Sequence, residues 1–145
     1  MKRFVVDNSV VVSWFFKDEM NAYTDAIREG LDATQAVVPS IWPLEFSNVL
    51  LTAERRKRLT EAEVSHILIV VQSLPISIEQ EPPARVWSEI LQLARAHSLT
   101  TYDASYLDLA MRSGLPIATQ DKALVKAARK CGVAVFPEKR ARKKS

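Results

Sequence analysis

Short apolar runs alternate along the chain with longer stretches in which apolar residues recur every three or four positions. Phe4-Val5-Val6, Ala36-Val37-Val38, Ile76-Ser77-Ile78, Pro116-Ile117-Ala118-Thr119 and Val133-Ala134-Val135 are the short runs, and each is predicted to be a strand. Between them the pattern predicts helices over 9–16, 21–29, 41–57, 61–73, 83–97, from near Asp103 to before Gly114, and 122–131. Gly30 stops the second helix, and Pro43 is tolerated because it falls in the first turn of the third. Thr60-Glu61-Ala62-Glu63 matches a capping box. Strands too apolar to have one wet face, joined by helices, imply an α/β domain: a parallel sheet with helices on both faces, three layers in all. In such sheets ligands bind beyond the carboxyl ends of the strands, where strand order reverses.

Composition sharpens this picture. A chain of 145 residues, 48% hydrophobic and 26% charged, suits one folded domain and excludes disordered and fibrous classes. The lone Cys131 excludes a disulfide framework and a Cys-based zinc cluster, and fits a reducing, cytoplasmic setting. No apolar run approaches a membrane span, and the first residues lack a signal-peptide core. The net charge of +3 is unevenly placed: residues 138–145 hold five bases and one acid, so residues 1–137 carry −1. The chain therefore divides into a domain over 1–137 and a basic tail over 138–145. Lys139, Arg140, Arg142, Lys143 and Lys144 could meet phosphates, or the tail could simply be solvated.

Acids stand where ligands are expected. Asp7 follows the first strand, Asp121 the fourth, Asp103 opens a helix, and Glu45 lies one turn into the helix after the second strand. Asp before a helix is most often an N-cap, and that reading stays open for Asp7, Asp103 and Asp121. Glu45, Asn48, Thr52 and Arg55 share one narrow polar stripe, which faces either solvent or a polar cleft. Carboxylates converging in one pocket repel unless a cation or proton lies between them. Oxygen-only donors favour hard ions such as Mg²⁺ or Mn²⁺, which clamp phosphoryl oxygens and activate water. Neither His66 nor His97 has a matching Ser or Cys motif, and both read as structural, as Cys131 reads as packing. Asp108 lies about 140° around its helix from Asp103 and is expected to be solvated. Trp14, Phe15 and Phe16 are expected in the core or a partner groove, with base stacking the less favoured role.

Four segments together carry a family pattern: Phe4-Val5-Val6-Asp7-Asn8-Ser9-Val10-Val11, Pro43-Leu44-Glu45-Phe46-Ser47-Asn48-Val49-Leu50, Thr101-Tyr102-Asp103-Ala104-Ser105-Tyr106-Leu107 and Ala118-Thr119-Gln120-Asp121-Lys122-Ala123-Leu124. They resemble the PIN-domain ribonucleases, and the chain over 4 to about 137 resembles the VapC-type toxins of toxin–antitoxin pairs. The resemblance implies a five-stranded parallel sheet of order 3-2-1-4-5. It further implies Mg²⁺- or Mn²⁺-dependent RNA cleavage, a homodimer, and inhibition by an antitoxin whose C-terminal segment enters the active-site groove. The family's acids map onto Asp7, Glu45, Asp103 and Asp121, with Asp7 and Asp103 the most direct metal ligands. Ser9 and Thr119 take the places of its supporting hydroxyls. Two other functions compete: a PIN scaffold that binds RNA or protein without cutting, and a phospho-acceptor signalling domain. The latter expects an acid pair after the first strand and a lysine after the last, and finds Asp7-Asn8-Ser9 and Phe136-Pro137 instead.

Overall fold

The structure, a computed structural model, describes residues 2–137; the basic tail 138–145 lies outside the described residues. Four strands, β1 (Lys2–Val6), β2 (Thr34–Pro39), β3 (Ile76–Glu79) and β4 (Ile117–Ala118), form one sheet of order β3-β2-β1-β4. All pairings are parallel, with Phe4 opposite Ala36, Val5 opposite both Val37 and Ile117, and Val38 opposite Ile78. Successive residues Phe4, Val5 and Val6 are all fully buried, as are Ala36 and Val38, which requires cover on both faces of the sheet. Each of the Phe and Val side chains contributes roughly 1.5–3 kcal/mol through its removal from water.

The expected fifth strand shrinks to one bridge. Val135 pairs in parallel with Ile117, held by Ile117 N–H to the Ala134 carbonyl (2.9 Å) and Phe136 N–H to the Ile117 carbonyl (2.8 Å). The position beyond β4 is thus filled, but β4 offers only two residues to pair with, and Pro137 has no N–H to continue the ladder. The Phe136 ring instead stacks on Phe4, with centroids 4.2 Å apart.

Among the described residues the α-helices are α1 (Asn8–Ser13), α2 (Ala22–Glu29), α3 (Trp42–Arg55), α4 (Glu61–Ser73), α5 (Pro83–Arg85), α6 (Leu91–His97), α7 (Thr101–Ser113) and α8 (Lys122–Lys130). The capping box forms as the sequence predicts: Glu63 N–H donates to Thr60 Oγ1 (3.1 Å) and Thr60 N–H to Glu63 Oε1 (3.0 Å). Helix α1 ends three residues earlier than expected because its last residues are drawn into the core. The Trp14 indole donates to the Thr24 carbonyl (2.8 Å), and Trp14 and Phe16 are only 2% and 5% exposed. Phe15 packs edge-on against Phe46 (5.8 Å). None of the three is available as a stacking platform. Between α5 and α6 a π turn, Val86–Ile90, adds one residue to a helical turn. This rephasing lets Ile90 and Ala94 pack on Ala104 while Arg85 meets α7 on another side.

Helix α7 is buried over Ala104–Ala110, and this overturns the expected solvation of Asp108. Asp108 is 2% exposed. The Arg85 guanidinium donates to it bidentately, Nε to Oδ2 and Nη2 to Oδ1 at 2.8 Å each, and Arg112 Nε lies 3.3 Å from Oδ2. Asp108 does point away from Asp103, but that side of α7 is covered by the 83–97 segment. Among the described residues no helix is long and apolar enough to cross a membrane.

Candidate active site

The parallel pairing of β1 with β4 brings the residues that follow these strands together. Asp7 N–H donates to the Ala118 carbonyl (2.9 Å), so the sheet itself fixes the first acid. Asp7 sits at the N-cap position of α1 yet makes no cap hydrogen bond, and it is 5% exposed. Its Oδ2 accepts from Ser9 Oγ (2.7 Å) and Thr119 Oγ1 (2.9 Å). Both hydroxyls expected to support the site therefore converge on one oxygen, leaving Oδ1 free of either. Thr119 Oγ1 in turn accepts from Asp121 N–H (3.0 Å), and Gln120 Nε2 donates to the Ser9 carbonyl (3.0 Å). These bonds knit the loop after β4 to the start of α1.

The remaining acids arrive on helices. Glu45 lies in the first turn of α3, half-buried, where its Oε1 accepts from Tyr106 Oη (2.6 Å). Asp103 lies in the first turn of α7, where Thr100, not Asp103, is the N-cap. Asp121 does cap its helix: Oδ1 accepts from Ala123 N–H (2.8 Å) and Leu124 N–H (3.3 Å). The N-cap reading thus holds for Asp121 alone.

Burial pushes the Asp7 carboxyl above its usual range, against the pull of the Ser9 and Thr119 hydroxyls, and the Asp121 charge adds to the rise. Burial likewise raises Glu45, reinforced by the charges of Asp7 and Asp103, and raises Asp103, reinforced by Asp7 and Asp121. The Asp7 charge raises Glu45 and Asp103, and the Asp121 charge raises Asp7, so Asp7 is coupled to each of the other three acids. Among the described residues no three His, Cys, Asp or Glu side chains are drawn together into a complete ligand set. A hard divalent ion does not need one, because Mg²⁺ keeps several waters and binds through one or two carboxylates and substrate phosphates. Oxygen-only donors, mutual repulsion and an Asp7 oxygen without a hydroxyl partner fit such an ion.

Carboxyls raised in the folded state stabilise it below their unfolded pKa of about 4, and that contribution is lost as pH rises through the folded values. The EDTA-treated chain is expected to melt at lower temperature near neutral pH than at about pH 5. Mg²⁺ should raise the midpoint at neutral pH and do little in acid, as thermal melts would show.

Tyr106 is the residue that sequence reasoning missed. It is fully buried, and its hydroxyl spans 61 residues of sequence to reach Glu45. The available signal was its i+3 spacing from Asp103, which puts both on one face of α7. In Tyr106→Phe, Glu45 loses the hydrogen bond that opposes its raised pKa. The acid limb of the pH–rate profile should move to higher pH, with about tenfold lower activity for a lost positioning contact. The histidines lie outside this network: His97 Nε2 is 3.3 Å from Cys131 Sγ, and His66 is exposed.

Residues 4–130 of the chain match the PIN-domain family model. The chain belongs to the PIN-domain family. It is 27% identical to Ribonuclease VapC3 of Pyrobaculum aerophilum over 122 residues, covering 84% of this chain and 92% of that protein. Among solved structures it is similar to PAE2754 of Pyrobaculum aerophilum, at 25% identity and a TM-score of 0.68, covering 87% of this chain and 84% of that one. It also shares its fold with a chain of VapBC2 from Rickettsia felis, solved bound to a promoter DNA fragment, at 11% identity and a TM-score of 0.66, over 92% and 96% of the two chains.

Proposed function

We propose that the chain is a Mg²⁺- or Mn²⁺-dependent endoribonuclease and the toxin of a toxin–antitoxin pair. The observation that carries this reading is Asp7: a buried carboxylate, fixed by the sheet, fed by two hydroxyls, raised by the Asp121 charge and itself raising Glu45 and Asp103. The name of the Pyrobaculum relative supports ribonuclease chemistry.

Asp7 and Asp103 would hold the ion, with Asp121 and Glu45 completing its surroundings. When bound, the ion would neutralise phosphate oxygens and lower the pKa of a water. Ser9 and Thr119 aim one Asp7 oxygen and keep the carboxylate from rotating. Glu45, held by Tyr106 and raised above its ordinary pKa, is suited to take up the proton that the attacking water releases. A P–O bond forms to that water oxygen, the ester P–O bond breaks, and the departing oxygen takes a proton. One product ends in phosphate and the other in hydroxyl.

The antitoxin's C-terminal segment would enter the same groove with a basic side chain, most favourably Arg, paired to the acids. A homodimer belongs to the same proposal, and Trp87, 75% exposed, is a large apolar side chain for a second copy to cover. The purified chain is expected to cut single-stranded RNA internally in Mg²⁺, stop in EDTA, and stop when the antitoxin is added. RNA left intact in Mg²⁺ would overturn the proposal.

A further inference from the structure

Beside the acid cluster lies a cavity of about 500 Å³, most of whose lining the cleavage chemistry does not use. Its walls include Asn8, Leu44, Glu45, Asn48, Val49 and Tyr102. It is continuous with the candidate active site: Glu45 belongs to both, and Asn8 and Tyr102 are the chain neighbours of Asp7 and Asp103. Tyr102 is 56% exposed and Leu44 70% exposed, and both line this cavity. The Asn8 side-chain carbonyl oxygen is shut from solvent and has no hydrogen-bond partner.

We propose that this cavity is a subsite for one unpaired nucleobase of the RNA strand, next to the phosphate at the acid cluster. This deepens the nuclease reading and rests on it. The residues lining the cavity carry no cation, and Glu45 brings a carboxylate, so a phosphate is repelled there. A neutral base fits instead. Its face stacks on the exposed Tyr102 ring, and its apolar edge lies along Leu44 and Val49. Asn48, exposed on α3 one turn beyond Glu45, offers its amide to the base's polar edge. An unpaired strand is required, because a stacked and paired base cannot enter a side cavity.

The test is equilibrium binding of a short, fluorescein-labelled, mixed-sequence single-stranded RNA, with Ca²⁺ in place of Mg²⁺, followed by anisotropy. Base stacking lost on alanine substitution is expected to weaken binding by about 5- to 150-fold in Tyr102→Ala, while Tyr102→Phe, which keeps the ring, binds as the wild type. On an RNA of equal length without bases, Tyr102→Ala and wild type should bind alike. In Mg²⁺ the Tyr102→Ala defect should fall on KM more than on kcat, as expected for uniform binding. Wild-type affinity in Tyr102→Ala overturns the subsite, as does an equal loss on the baseless strand. Unchanged RNA binding with weakened antitoxin binding would assign the cavity to the protein partner and overturn it too. A wild-type chain that neither binds nor cuts RNA overturns the nuclease reading and the subsite together, a result distinct from a cutting chain indifferent to Tyr102.

Discussion

Asp7→Asn is expected to leave a folded chain that no longer cuts RNA. The amide keeps an oxygen able to accept from Ser9 and Thr119, whose hydroxyls lie 2.7 and 2.9 Å from Asp7 Oδ2. It removes the anion at the centre of the cluster. Cleavage should fall by orders of magnitude, beyond the roughly 10–100-fold loss typical of an outer partner of a metal ligand. Stability should move the other way. Burial and the Asp121 charge raise the Asp7 carboxyl, so at neutral pH the folded wild type carries an ionisation penalty that Asn does not. The variant's melting midpoint in EDTA should equal or exceed the wild type's near neutral pH, with the gap closing toward about pH 4. Full activity would refute the assignment, and a lower neutral-pH midpoint would show that Asp7 serves the fold as an ion.

Asp108→Asn should do the reverse, lowering stability while sparing the chemistry. Asp108 is buried and takes two short bonds from Arg85 and one longer contact from Arg112. Removing one partner of a fully buried pair costs roughly 3–5 kcal/mol. The Arg85 and Arg112 side chains are 32% and 24% exposed and can recover some hydration, so a loss of about 2–3 kcal/mol is expected. For a chain of this size that lowers the melting midpoint by roughly 6–12 °C. RNA cleavage well below the midpoint should match the wild type. An unchanged midpoint would show that the buried ion pair contributes nothing net.

These two aspartates also show what the sequence made legible. The strands were readable because Phe4-Val5-Val6 and Ala36-Val37-Val38 are apolar at every position, and only a sheet covered on both faces buries both sides. Thr60 and Glu63 were readable because a capping box is local. The order of β1 and β4, which sets Asp7 beside the loop carrying Thr119 and Asp121, came from the family resemblance, since no local signal reports which strands pair. What failed was long-range. Nothing near Asp108 announces that residues 83–97 fold over it, because its partner Arg85 lies 23 residues away. The Tyr106 hydroxyl meets Glu45 across 61 residues of sequence, a pairing that no local pattern reports. Trp14 and Phe16 ended α1 early because the core outcompeted helix propensity. The fifth strand became a single bridge because a run of apolar residues does not reveal how short its neighbour will be. Asp7, Asp103 and Asp121 looked alike in sequence, and only the structure separates the last as a helix cap.

The four acids are proposed to form a single cation site. Calorimetric titration of the metal-free chain with Mn²⁺ near neutral pH, repeated in buffers of different ionisation enthalpy, tests it most directly. Saturable binding with net proton release is predicted, because the cation displaces protons from carboxyls whose pKa values the cluster has raised. Asp7→Asn should abolish both the binding and the release. Absence of binding, or binding that survives Asp7→Asn unchanged, would contradict the claim.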